Sequence, residues 1–130
     1  MKRVVIDTNV LVSSMLSQKG SPFKVMKLIS DKKILLFYCL EILDEYKRVL
    51  SYPKLNIAIQ TQSNTNEAIQ RLGILIKPPS SNISMTDESD RIFYDTARAS
   101  GSILVTGNIR HYPKEQFIMT PAEVLNSINL

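Results

Sequence analysis

The sequence predicts an α/β domain of three layers, with a central parallel sheet of four to five strands flanked by helices. Three observations predict it. Short β-branched runs alternate with stretches of helical apolar spacing along most of the chain. The first of those runs, Lys2 to Ile6, is short and β-branched, as strands buried on both faces are. No internal repeat, long linker or low-complexity stretch interrupts the 130 residues, so one domain over 1–130 is the simplest organisation.

After the Lys2–Ile6 strand, Asn9 to Leu16 reads as a short helix. Ser21-Pro22 looks like an N-cap with proline at the first helical position, opening a helix to about Asp31. Phe23, Val25, Met26, Leu28 and Ile29 give that helix an apolar stripe. Ile34 to Cys39 reads as a second strand, and Leu40 to Leu50 as a helix stopped before Pro53. Residues 54–72 are polar, with apolar residues spaced as in one or two short helices. Ile74 to Ile76 is a short third strand and 78–82 a loop. Asp90 to Ser100 reads as a helix capped by Gly101. Ile103 to Thr106 is a fourth strand and Phe117 to Met119 a fifth. Thr120-Pro121-Ala122-Glu123 has capping-box spacing for a last helix ending near Ile128.

Composition narrows the function classes. Apolar residues make up 44% and charged residues 22%, a globular balance. No run reaches the roughly 18 apolar residues of a membrane span, and the N-terminus lacks a signal peptide's pattern, so the expectation is a cytoplasmic protein. Cys39 and His111 are the sole cysteine and histidine, which excludes an internal disulfide and a Cys/His zinc site. Cys39 lies in an apolar run and reads as a buried structural thiol. The net charge of +4 suits a polyanionic partner such as nucleic acid.

Against that basic background the position of the acids matters. Ligands of parallel α/β sheets bind beyond the C-terminal strand ends. Asp7 follows the first strand and Asn108 the fourth, so they approach each other if those strands are neighbours. Asp7 fits equally an N-cap of the next helix. Ile42, Leu43, Tyr46, Val49 and Leu50 define a buried helix face that leaves Asp44 outside and Glu45 at the margin. Taken alone, Glu45 reads first as a solvated acid. The same construction on Ile92, Phe93, Thr96, Ala97 and Ser100 puts Asp90 at one margin and Asp95 at the other. Asp87, Glu88 and Asp90 crowd that helix's start, where the macrodipole favours acids. Acids from distant segments that meet at a strand edge suit Mg²⁺ or Mn²⁺ and phosphodiester chemistry.

Val4-Val5-Ile6-Asp7-Thr8-Asn9-Val10, the Glu45 segment Leu43–Leu50, Asp87-Glu88-Ser89-Asp90 leading to Ala97, and Leu104-Val105-Thr106-Gly107-Asn108 together resemble the PIN-domain ribonucleases. Among them the chain is similar to the small VapC-like toxins of toxin–antitoxin pairs. The resemblance covers nearly the whole chain. It implies that Asp7, Glu45 and Asp90 are catalytic and bind Mg²⁺ or Mn²⁺, that metal-activated water hydrolyses RNA to 5′-phosphate and 3′-hydroxyl ends, and that Thr8, Asn9 and Thr106 orient the carboxylates. It also implies a cognate antitoxin, whose helix or tail lies in a groove near the site, and frequent homodimers. Leu16, Phe23, Met26 and Ile29 are candidates for the groove, although core packing accounts for them more simply.

The chain departs from the family at its last acid. Many members have Asp where this chain has Asn108, and others have Asp where it has His111. Asn108 offers a carbonyl oxygen but no charge, which weakens a second metal site; Asp87 or Asp95 is a candidate to compensate. His111 reads evenly as a phosphate contact or as an ordinary loop histidine. Arg91, Arg110 and Lys114 are the basic residues nearest the site in sequence and hence candidate RNA contacts. Two other readings compete: a module that binds RNA or antitoxin without cutting, and a phosphotransferase with Asp7 as nucleophile. The second lacks the acid it needs two residues later, where Asn9 stands.

Overall fold

Val4, Val5 and Ile6 are at most 1% exposed and form β1 (Arg3–Ile6), the middle strand of the sheet. The computed structural model describes residues 1–128, so the last two positions of the 1–130 span lie outside the described residues. Four further strands are β2 (Leu35–Tyr38), β3 (Ile74–Leu75), β4 (Ile103–Val105) and β5 (Ile118–Met119). They lie in the order β3-β2-β1-β4-β5, and every pairing is parallel. Parallel neighbours need crossover connections, and the helices supply most of them. α1 (Thr8–Leu16) and α2 (Ser21–Ser30) link β1 to β2, and α3 (Leu40–Leu50) and α4 (Ile59–Leu72) link β2 to β3. α5 (Arg91–Ser100) leads to β4, and α6 (Pro121–Ser127) follows β5. The expected α/β architecture, a parallel sheet flanked by helices, is the one observed.

The local differences have simple causes. The N-cap of α2 is Gly20, one residue earlier than Ser21, so Ser21 and Pro22 both lie in the first turn. Residues 59–72 form one helix, not two, after a 3₁₀ turn at Pro53–Leu55. Asp90 belongs to a 3₁₀ turn, Glu88–Asp90, that precedes α5. Gly101, at φ 65°, ends α5 in the left-handed region that glycine adopts at least cost. Thr120 and Glu123 form the reciprocal capping box that their spacing predicts.

Two features of the core position the site. The Tyr46 hydroxyl, on α3, donates to the Ile6 carbonyl at the end of β1. The Tyr46 and Phe93 rings pack with centroids 6.5 Å apart, which joins α3 to α5. The sheet runs left from β1 to β2 and right from β1 to β4, so the topological switch point lies between β1 and β4. Ligands of open α/β sheets bind there.

Candidate functional site

Asp7 and Thr106 are the first residues past β1 and β4, and both are buried. Asp7 occupies the N-cap position of α1, yet its side chain makes no capping bond. Its Oδ2 instead accepts from Thr106 Oγ1 at 2.8 Å and from the Tyr112 hydroxyl at 3.0 Å. That removes the N-cap alternative for the side chain. Burial raises the Asp7 pKa, and the two hydroxyl donors partly oppose the rise. Burial, followed by the charges of Asp7 and Asp90, raises Tyr112, so its hydroxyl remains a donor.

The adjoining loop is stitched to the same edge. Gly107 N donates to Asn9 Oδ1 at 3.2 Å, and Asn108 N donates to Thr106 Oγ1 at 3.0 Å. Asn108 thus reaches the site through its backbone, while the residue itself is exposed.

Glu45 arrives from α3. It is half-buried at the margin of the helix, as its spacing predicts, with Asp44 exposed beside it. Thr8 Oγ1 donates to Glu45 Oε2, and Arg48 lies 3.7 Å from Oε1. Asp90 arrives from the turn before α5, with 17% of its side chain exposed. Its pKa is pushed up to about 6, first by burial and then by the negative charges of Asp7, Asp87 and Glu45, with His111 opposing. Contacts bring the three acids to one strand edge: Thr8, next to Asp7, donates to Glu45, and Tyr112, next to the His111 that faces Asp90, donates to Asp7. Asp90 Oδ2 is buried without a hydrogen-bond partner, and His111 Nδ1 stands 3.9 Å away, beyond hydrogen-bond reach.

The remaining candidates divide. Asp87 is exposed and accepts from Ser89 as the cap of the 3₁₀ turn, which holds its carboxyl below the usual range. Asp95, expected at a helix margin, is buried under the 79–83 loop, where Oδ2 accepts from Ser81 N at 3.1 Å. Arg91, a candidate RNA contact, is committed to structure. Its guanidinium binds both Glu88 oxygens, the Ser81 carbonyl and hydroxyl, and the Ile83 carbonyl. Arg110 and His111 are exposed beside Gly107 and Asn108 in a hollow of about 320 Å³. Lys114 lines a different hollow, with Pro113 and Ile118. Cys39 is buried with its thiol pKa raised, as a structural residue. Sequence reasoning missed Tyr112. Its position, six residues past Thr106, carries no periodic signal, and only the 3₁₀ turn Ile109–His111 brings it back to Asp7.

The chemistry of the donors suits a hard divalent cation: carboxylate oxygens from three elements, mutually repelling, with one buried oxygen unpartnered. Among the described residues, however, no group of three His, Cys, Asp or Glu side chains is already arranged to hold a metal ion. The acids have other partners. Glu45 is turned to Thr8 and Arg48, and Asp7 Oδ2 to two hydroxyls.

A parallel sheet with its switch point between β1 and β4, and carboxylates from three elements gathered at that edge, defines a class of acidic-site α/β domains. A family model described as the PIN domain matches residues 3–110, and the chain belongs to that family. PIN domains are in general nucleases that use divalent metals, so membership suggests a nuclease-type function. The chain is also 30% identical over 109 residues to an uncharacterised protein of Methanocaldococcus jannaschii, spanning 82% of this chain and 70% of that protein. No solved structure gives a significant match. Among the described residues no helix is long and apolar enough to cross a membrane.

Proposed function

We propose that the protein is a divalent-metal-dependent endoribonuclease, acting as a single nuclease domain, and the VapC-like toxin of a toxin–antitoxin pair. The observation that carries this reading is the approach of three acids to one strand edge: Thr8, next to Asp7, donates to Glu45, Tyr112 donates to Asp7 while its neighbour His111 lies 3.9 Å from Asp90, and Asp90 Oδ2 is buried without a partner. In the proposal these three carboxylates hold Mg²⁺ or Mn²⁺. Held there, such an ion would supply a water of lowered pKa and offset charge on the phosphodiester. Thr106 and Tyr112 orient Asp7, Thr8 orients Glu45, and Asn9 fixes the 107–108 loop. Arg110 and His111, exposed beside the site, contact the phosphate backbone of RNA.

An antitoxin partner fits a hollow of about 430 Å³ between α1, α2 and α4. Phe23, Met26 and Ile29 line it, with Ala68 and Leu72 on α4, although Ile29 is also a core residue, as the simpler packing reading has it. Leu16 faces solvent instead, 58% exposed. The proposal places the protein in the cytoplasm with its RNA and leaves room for a homodimer.

The second reading, a module that binds RNA or antitoxin without cutting, draws on the uncharged Asn108 and on the lack, among the described residues, of three acids already grouped to hold an ion. Cleavage of end-labelled RNA separates the two. With Mn²⁺ or Mg²⁺ the wild type cuts, while Asp7→Asn, Asp90→Asn and EDTA controls do not. Equal cutting by wild type and both variants would sink the nuclease reading. RNA binding without cutting, and without Mn²⁺ binding at millimolar concentration, favours the module.

A further inference from the structure

We infer that the hollow between the 79–83 loop and α5 reads one base of the RNA strand, by the edge that cytosine and adenine share, with Asp95 and Arg98 as its specificity-determining residues. The inference rests on the RNA reading above, in its cutting or its non-cutting form. It goes beyond that reading by naming which part of the RNA is recognised and where.

The hollow has a volume of about 500 Å³, and Ser80, Asn82, Asp95 and Arg98 are among its walls. Asp95 is 5% exposed. Its Oδ2 accepts from Ser81 N at 3.1 Å, while Oδ1 is buried without a hydrogen-bond partner. A carboxylate oxygen only accepts, and leaving one buried and unpaired is unfavourable. The loop is not free to supply a second donor, because Arg91 holds the Ser81 and Ile83 carbonyls at 2.7 Å each. Arg98 is exposed, three residues along α5 and so on the neighbouring turn. Among the described residues it makes no ion pair with Asp95 or with any other acid.

The hollow therefore presents an unmet acceptor beside a guanidinium donor. A bare cation would meet the charge of Arg98, and a bare anion that of Asp95. The group that fits is neutral and carries a donor next to an acceptor. Cytosine has its N4 amine beside ring N3, and adenine its N6 amine beside ring N1. Asp95 Oδ1 accepts from the amine and Arg98 donates to the ring nitrogen. Uracil reverses both, setting a carbonyl against the carboxylate and an N–H against the guanidinium. Asp95 lies about 8 Å along the helical axis from Asp90, so a strand seated on the acids reaches the hollow within a few nucleotides.

Fluorescence anisotropy with labelled oligomers of cytidine, adenosine and uridine, equal in length and held in EDTA to prevent cutting, tests this on the full chain. The wild type is expected to bind the cytidine or the adenosine oligomer roughly tenfold more tightly than uridine, the scale of one base contact. Which of the two it prefers names the base. Asp95→Asn offers an amide donor to the uracil carbonyl, so the preference is expected to vanish or reverse, an outcome that loss of packing alone does not give. Arg98→Gln, at an exposed position, folds and is expected to reduce the preference severalfold, which keeps the test valid should Asp95→Asn not fold. Uridine bound as tightly as both others by the wild type overturns the inference and leaves the RNA reading standing. A preference that persists in Arg98→Gln and in folded Asp95→Asn does the same. A wild type that binds none of the oligomers overturns the RNA reading and this inference with it.

Discussion

Thr106 and Asp7 stand 99 positions apart in sequence and are joined by a 2.8 Å bond from the threonine hydroxyl to Oδ2. Beside the backbone pairing of β1 with β4, this side-chain bond closes the sheet at its switch point, and Thr106 is fully buried. Thr106→Val keeps the shape, strips one donor from a buried carboxylate and leaves the Asn108 amide without its acceptor. The expected loss is about 1–3 kcal/mol, read as a lower urea midpoint, with Thr106→Ser recovering most of it. A valine variant as stable as wild type would show that water replaces the hydroxyl at no cost.

Asp90 carries a folded-state pKa raised from 3.8 to about 6. Below 3.8 the group is neutral folded or unfolded and adds nothing. Between 3.8 and about 6 the folded state holds the proton that the unfolded state has released, so stability falls as pH rises. Above about 6 the cost of a buried charge is complete and constant. Asp7 is raised in the same direction. Without divalent cations, denaturation between pH 4 and 7.5 should therefore show stability declining across this window, and Asp90→Asn should flatten much of the decline. The same variant should be more stable than wild type at neutral pH. A profile that rises with pH through the window would contradict the repulsion described here.

Much of this arrangement is legible in the residues, and the part that is not has a physical reason. Helical spacing places Glu45 at a margin with Asp44 outside, because one helix face decides both. It misplaces Asp95, because what buries Asp95 is the 79–83 loop, which has no period to read. Gly101 and the Thr120 capping box are visible because their signals are local. Tyr112 is invisible because its partner is 105 positions away and the connecting turn is irregular. The role of Asp7 is ambiguous in sequence for a related cause. A cap and a strand-end ligand occupy the same position, and only the side-chain bonds distinguish them.

Metal should reverse the stability penalty. An ion that binds the folded state alone stabilises it by RT ln(1 + [L]/Kd), about 2.7 kcal/mol at a hundredfold excess over Kd. In thermal melts at neutral pH, Mn²⁺ should raise the wild-type Tm by several degrees. Asp7→Asn, Glu45→Gln and Asp90→Asn should show little response, although Asp90→Asn starts from the higher Tm. Binding should weaken below pH 6, where Asp90 takes up a proton that the ion must displace. Equal Mn²⁺ responses in all four proteins would place the ion elsewhere.

Arg91 and Arg110 are both positive and close in sequence to the acids, yet they sit in different surroundings. Arg91 spends its donors on Glu88, Ser81 and Ile83, and only 19% of its side chain is exposed. Arg110 is exposed beside Asn108 and His111. Arg91→Gln should then cost about 1–3 kcal/mol of stability, because carbonyls it now satisfies lose a charged donor. It should leave the salt dependence of RNA binding unchanged. Arg110→Gln should do the reverse: near-wild-type stability, weaker RNA binding, and a slope of log K against log salt reduced by about 1. Binding measured in Ca²⁺, to hold back cleavage, checks both at once. A reduced slope in Arg91→Gln would mean that the loop clamp opens to let the guanidinium meet phosphate, and would return Arg91 to the RNA surface.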